Sequence, residues 1–572
     1  MSLPSRAPDI LGETGLSSFD AIVIGSGAGG STVAYALTKH GKNVLVLETG
    51  DNYFPGLDDP APGNPVPLFS NDELKFRIRH LIEPDPLLEP RTFRESEADG
   101  DRAFTGDVNG LPRNVGGGAV HADMKYPRFQ KTDFLLGSLL GDVPAANFAD
   151  WPLTYDELEP FYTEVEHLVG VQGEHGSDPF ASEHSRPFPM PPGAPMYVAL
   201  LAAEGARKLG YAPFPYPTAV NSRPYGGRPA CVDCGMCSGY GCPNNSKGSP
   251  AVTFLRTALL TGRCQLRYNA TVSRLITSGR GASVDAVEYI GPDGNTQQAT
   301  ADVVVLAASA IEDARLCLLS DADGDGLGNA SGQVGRNLMF HYQTTGVGLF
   351  KQRLHGHRGR AITHGMSDFR GVPGDPQRPL AGVIEFGAST ELVFEAKTYA
   401  LSLFQRGPML AKLLQQSPLR DHLMGLTMQA EDAPQLSNRV DLDPAVRDVY
   451  GLPVPRITYK NHDFELSARE FYTPKLIELL GAAGAQFAFV APPDTPSGSR
   501  HIMGTLRMGD DPSSSVCDRY GKFHDIENLY CADGGVFVTS SGFNPTLTIQ
   551  ALALRAAGNI VSPGSPERVL TL

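Results

Sequence analysis

Short apolar runs punctuated by glycine and proline set the pattern of the chain. Phe19-Asp-Ala-Ile-Val-Ile24 reads as a short buried strand, Ser31-Thr-Val-Ala-Tyr-Ala-Leu37 as a helix, and Asn43-Val-Leu-Val-Leu-Glu48 as a second buried strand ending in an acid. Between the first strand and the helix stands Gly25-Ser-Gly27-Ala28-Gly-Gly30. Strand, glycine turn, helix and strand in that order form a βαβ unit and predict a parallel sheet. Ala301–Ser309, followed by a helical pattern through Leu319, predicts a further strand of that sheet. From about 347 to 496 the chain alternates apolar and polar residues, as in Arg439-Val-Asp-Leu-Asp443 and Val454-Pro-Arg-Ile-Thr-Tyr459, which predicts a largely antiparallel sheet. The proline- and glycine-rich stretches Asp51–Pro67 and Phe188–Pro195 keep apolar anchors and read as ordered surface excursions. The fold class expected is α/β, a parallel-sheet nucleotide-binding domain joined to an α+β substrate domain.

At 572 residues the chain exceeds what one core serves, so two intertwined domains are expected. The net charge of −15 argues against nucleic acid and against an acidic membrane leaflet, both of which need basic surface. Small neutral or cationic substrates remain open. No apolar run approaches the roughly 18 residues that span a bilayer. The N-terminus, Met1-Ser-Leu-Pro-Ser-Arg, lacks the apolar core of a signal peptide, and the expected location is cytoplasmic.

In the nucleotide motif, Gly25 makes the tight turn, Gly27 and Ala28 let backbone approach a pyrophosphate, and Gly30 lets the helix pack on the sheet. The helix N-terminus faces the phosphates, and Glu48 stands where an adenosine ribose needs an acceptor. A structural glycine turn is the bland alternative; the strand–helix–strand context favours the dinucleotide. NAD and FAD share this half, so the motif does not choose between them.

Arg113-Asn114-Val-Gly116-Gly117-Gly118-Ala-Val-His121, Val334–His341, Glu431–Asp443, His501-Ile-Met-Gly-Thr-Leu-Arg-Met508, Asp533-Gly534 and Asn544-Pro545-Thr546 together resemble the blocks of the glucose-methanol-choline (GMC) family of flavin oxidoreductases, from about residue 18 to 562. The resemblance implies an FAD-binding Rossmann-like domain over 17–150, 206–346 and 497–572 and a substrate domain over 151–205 and 347–496. It places FAD against Asn114, Gly116, Gly117, Asp533, Gly534, Pro545 and Thr546. It makes His501 the base for a substrate hydroxyl and Asn544 the group that orients the oxygen, with flavin N5 accepting hydride. Taken singly, His501 reads as a helix- or strand-end histidine satisfied by backbone and Asn544 before Pro545 as a turn residue; at these spacings the functional reading is favoured. His121 stands where some relatives bond the flavin covalently, and a packed histidine beside dissociable FAD is the other reading. Asn544-Pro-Thr-Leu-Thr and Trp151-Pro-Leu-Thr-Tyr-Asp-Glu resemble the pyranose oxidase and gluconate dehydrogenase branches, implying a sugar or polyol substrate and oxygen, a quinone or a protein carrier as acceptor.

Cys231, Cys234, Cys237 and Cys242, four of the eight cysteines, fall within twelve positions. The spacing departs by one residue from a ferredoxin run. An iron–sulfur cluster or zinc is weighed below a metal-free loop or disulfide, and no metal ligands are assigned. Two rival classes are an electron-transferring flavoprotein subunit using these cysteines and an NAD(P)H-dependent flavin reductase. The second would need another dinucleotide fingerprint, which Val303-Val-Val-Leu-Ala-Ala-Ser does not supply. His121, His341 and His524 have no second catalytic partner nameable from sequence.

Overall fold

The computed structural model describes residues 10–12, 18–68, 89–100, 110–235, 237–278, 282–320, 325–356, 359–387, 406–416, 421–492 and 499–570. Apolar runs spread along the whole sequence build a six-stranded sheet. Its central strands Cys264–Arg267, Val44–Leu47, Phe19–Ile24, Ala301–Leu306 and Leu529–Cys531 run parallel in that spatial order, with Ile10–Leu11 antiparallel at one edge. Ile22, Val23 and the whole of Val44–Leu47 are buried, as expected where helices cover both faces. Helices Ala28–Lys39 and Thr546–Val561 belong to this layer, and most of their residues are buried.

The second six-stranded sheet is antiparallel throughout, in the order Phe487–Val490, Tyr342–Leu349, Leu423–Ala430, Ile384–Phe386, His364–Met366, Phe214–Pro215. Along Leu423–Ala430 the side chains alternate. Met424, Leu426, Met428 and Ala430 enter a core shared with helices Tyr197–Lys208 and Asp463–Ala482. The opposite face is polar: Gln343 is paired with Gln429, and Thr427 with both Thr345 and Glu385. This period-two division makes one sheet serve as core on one side and as a polar floor on the other.

A small three-stranded sheet joins sequence-distant pieces. Thr92–Arg94 runs parallel to Pro453–Thr458, which pairs antiparallel with Arg439–Arg447. No helix among the described residues is long and apolar enough to cross a membrane.

Candidate active site

The glycine turn after Ile24 is built by contacts that leave no room for side chains. Gly25 has φ +99°, and a Cβ there would lie 2.3 Å from the Ala307 carbonyl oxygen. At Gly30 a Cβ would lie 2.0 Å from the Gly25 carbonyl oxygen, and at Gly29 it would lie 1.8 Å from that of Ala532. Gly29, which sequence reasoning passed over, is thus the tightest seam between helix and sheet. Gly27 differs: the nearest atom to its Cβ position is Gly117 Cα, at 3.9 Å. It begins the helix Ala28–Lys39 without any side-chain cap, leaving first-turn N–H groups open.

Glu48 accepts from Ser26 N (3.0 Å) and Ser26 Oγ (2.6 Å) on one oxygen and from Gly50 N (2.8 Å) on the other. Burial pushes its carboxyl above the ordinary range, while these donors pull the other way. Ser26 Oγ also accepts from Gly116 N at 3.0 Å, bringing the second glycine loop against the first. Asn114 Nδ2 donates to Val115 O and Gly117 O, and its buried Oδ1 has no partner among the described residues. A side-chain-free slot between Gly27 and Gly117, an uncapped helix start and an orphaned acceptor together fit the donor and acceptor needs of a dinucleotide.

Asp533 accepts from Ser309 N and Gly535 N, each at 2.7 Å. Beside it Asp313 is pushed far above the ordinary carboxyl range by burial and by Asp533 itself. Asp313, Asp533 and Cys531 are the one group among the described residues whose donor atoms cluster as metal ligands do. A proton held by Asp313 between the two carboxyls accounts for the cluster without an ion. Pro545 precedes the helix Thr546–Val561 with no side-chain cap, so this helix start too presents open N–H groups beside Asn544.

His501 Nδ1 lies 2.7 Å from His341 Nδ1, with the rings edge to face at 4.8 Å. His341 Nε2 lies 2.9 Å from the Ser540 carbonyl oxygen. Burial, followed by His341 and the Lys125 cation, pushes His501 well below its ordinary range. No group among the described residues bonds His501 Nε2. Asn544 is buried, and its Oδ1 accepts from Tyr216 OH at 2.8 Å, which turns the amide Nδ2 the other way. Two routes tie the pair together. The Ser540 carbonyl that holds His341 lies four residues before Asn544, and Lys125, which acts on His501, is paired at 2.6 Å with Glu385, which in turn acts on Tyr216. Among the described residues, therefore, a lone pair or N–H at His501 Nε2 and an N–H at Asn544 Nδ2 are left open. Sequence reasoning missed His341 and Tyr216; the quoted block Val334–His341 carried the first, and nothing local marked the second.

On the polar floor, Glu385 Oε2 accepts from Lys125 (2.6 Å) and Gln429 (3.3 Å), while its buried Oε1 has no partner among the described residues. His121 is buried, and burial, then Lys247 and Arg500, lower it to about 3, so its imidazole is neutral. The cysteine segment packs behind it. Gly239 N donates to His121 O at 3.0 Å, and Lys247 Nζ donates to the carbonyls of Ala122 (2.8 Å), Tyr240 (2.9 Å) and Cys237. All eight cysteines are free thiols.

The sequence matches the GMC oxidoreductase family over residues 194–343 and 434–553 and a Rossmann-like NAD(P)-binding domain over 23–57. It is 30% identical to a 2-methyl-1,2-propanediol dehydrogenase of Mycolicibacterium austroafricanum, covering 96% of each chain. It is 32% identical to a paromamine 6'-oxidase of Streptomyces fradiae (95% of this chain, 92% of the relative) and 29% to a fructose dehydrogenase large subunit of Gluconobacter japonicus (95% and 98%). Among solved structures, a variant of the Aspergillus oryzae RIB40 formate oxidase superposes with a TM-score of 0.63 at 15% identity, covering 95% of this chain and 98% of the other. The chain belongs to the GMC oxidoreductase family. It is accordingly an FAD-dependent oxidoreductase acting on CH–OH donors.

Proposed function

We propose that this protein oxidises one hydroxyl of a sugar, polyol or related alcohol to a carbonyl, with His501 as the base and Asn544 as the orienting donor. The observation that carries the reading is the pair of open groups: Nε2 of a histidine kept neutral by burial, and an amide N–H aimed by Tyr216. A substrate hydroxyl needs both, an acceptor for its proton and a donor for its oxygen. FAD, when bound, supplies the hydride acceptor at N5. The Gly25–Gly30 turn and its helix would hold the pyrophosphate and Glu48 the ribose. Asn114, Gly116, Gly117, Asp533 and Gly534 would hold the linking chain, and Pro545–Thr546 with His121 would flank the ring. The helix start at Thr546 favours negative charge on whatever lies before it.

A polyhydroxylated substrate is supported by the floor of the site. Glu385 keeps a buried carboxylate oxygen without a partner among the described residues, and such an acceptor, if turned to the substrate, would discriminate for a molecule that brings a second hydroxyl. The relatives named for a diol, fructose and paromamine accord with this. Anaerobic mixing with a panel of sugars, polyols and simple alcohols identifies the substrate through bleaching of the flavin bands. His501→Ala should then slow flavin reduction by at least about a hundredfold with FAD still bound; an unchanged rate removes His501 from the role.

A further inference from the structure

The contacts of His341 determine which nitrogen of His501 carries hydrogen. The Ser540 carbonyl oxygen can only accept, so His341 Nε2 must be the protonated nitrogen of that ring. Burial lowers His341 to about 4, so the ring is neutral and its Nδ1 is a bare lone pair. A bare Nδ1 at 2.7 Å from His501 Nδ1 obliges the latter to be the donor. We infer that His341 is a positioning residue that locks His501 in its Nδ1–H form, leaving the Nε2 lone pair as the sole proton-accepting nitrogen of the base. This rests on the reading of His501 as the base; no known role is assigned to His341 by sequence.

The clamp that holds His341 is itself rigid. Ser540 Oγ donates to Glu431 Oε1 at 2.9 Å and accepts from Asp432 N at 2.7 Å. Ser541 N donates to the same Glu431 oxygen at 2.7 Å, and Ser541 Oγ donates to Asp133 Oδ2 at 2.7 Å. Arg370 bridges Asp133 and Glu431 from behind. The carbonyl that selects the His341 tautomer is thus pinned on both sides, and the order runs carbonyl, His341, His501, substrate hydroxyl. The proton taken from substrate is thus received at His501 Nε2, while the Nδ1–H of the same ring is donated to His341 Nδ1.

Two nearly isosteric replacements separate this role from packing. Asn at 341 places its Oδ1 where Nδ1 stood and can still accept from His501; Leu fills the same space and cannot. Both lose the bond to Ser540, so the difference between them isolates the Nδ1 acceptor. In the FAD-loaded enzyme, His341→Leu should lower the limiting rate of anaerobic flavin reduction by about a hundredfold or more, by analogy with loss of tautomer control in other acid–base sites. His341→Asn should recover at least about tenfold of that, with substrate Kd unchanged in both. Equal rates in the two variants, or a wild-type rate with Leu, would overturn the inference. The ¹⁵N spectrum of histidine-labelled wild-type enzyme gives a reading independent of any variant at 341. The signal lost in His501→Ala should show a protonated Nδ1 and a bare Nε2, and the reverse assignment would overturn it. Failure of the underlying reading looks different: His501→Ala would then leave reduction intact whatever the tautomer.

Discussion

Single atoms decide what each glycine of the nucleotide turn is for. Gly29 and Gly30 admit no Cβ because carbonyl oxygens lie within 2.0 Å of where it would stand, so Ala at either forces backbone apart. Gly27 has nothing closer than 3.9 Å. Gly27→Ala should therefore fold with an unchanged thermal midpoint in the cofactor-free protein. Its FAD affinity should nonetheless fall by at least about tenfold, about 1.4 kcal/mol, read from the recovery of free flavin fluorescence on dilution. The turn was legible in sequence because Gly-x-Gly-x-x-Gly sits between a strand and a helix. That Gly29 bears the closest contact was not, because its neighbour, Ala532, is made more than five hundred residues later. Tyr216 escaped for the same reason, since a lone tyrosine carries no spacing signal, and the block that ends in His341 marked that residue without naming its partner, which resides in tertiary contact.

At the scale of elements, the strand and helix bounds followed period and punctuation wherever a layer had a clear inside. Leu423–Ala430 alternates because only one of its faces is core. The segment Trp151–Tyr162, whose sequence resembles sugar-oxidising branches, proves to be a helix start. Thr154 Oγ1 accepts from Glu157 N and the Glu157 carboxylate accepts from Thr154 N, a reciprocal cap on the helix Tyr155–Val169. That helix bonds the one following Asn544 through Tyr162 OH and Thr548 Oγ1 at 2.8 Å. Thr154→Ala should cost about 1 kcal/mol, visible as a lowered denaturant midpoint at constant slope. Flavin reduction should be little changed, because the cap acts on the helix and the Tyr162 bond stays intact.

Across the whole molecule, the acids behind the site make stability depend on pH in an unusual direction. Burial, opposed by Arg370 and raised by Asp133, lifts Glu431 to about 7. Burial lifts Glu465 to about 8 against the backbone donors of His462 and Ala433, and Asp432 lies well above its ordinary range. The folded protein holds these protons more tightly than the unfolded chain, whose glutamates titrate near 4.5, so this stability is complete at low pH and is lost as pH rises through the folded values. The buried histidines act oppositely, but their contribution is complete above about 6.5. Between about pH 6.5 and 8 the acids therefore prevail. The thermal midpoint should fall across that window, and Glu465→Gln should flatten the fall; a midpoint that rises with pH there would refute the assignment. The seam at Gly29 has one more consequence, for biosynthesis. Strand Leu529–Cys531 completes the parallel sheet, and Ala532 closes on a helix made some five hundred residues before it. The seat at the glycine turn is therefore incomplete in any nascent chain that stops short of Ala532.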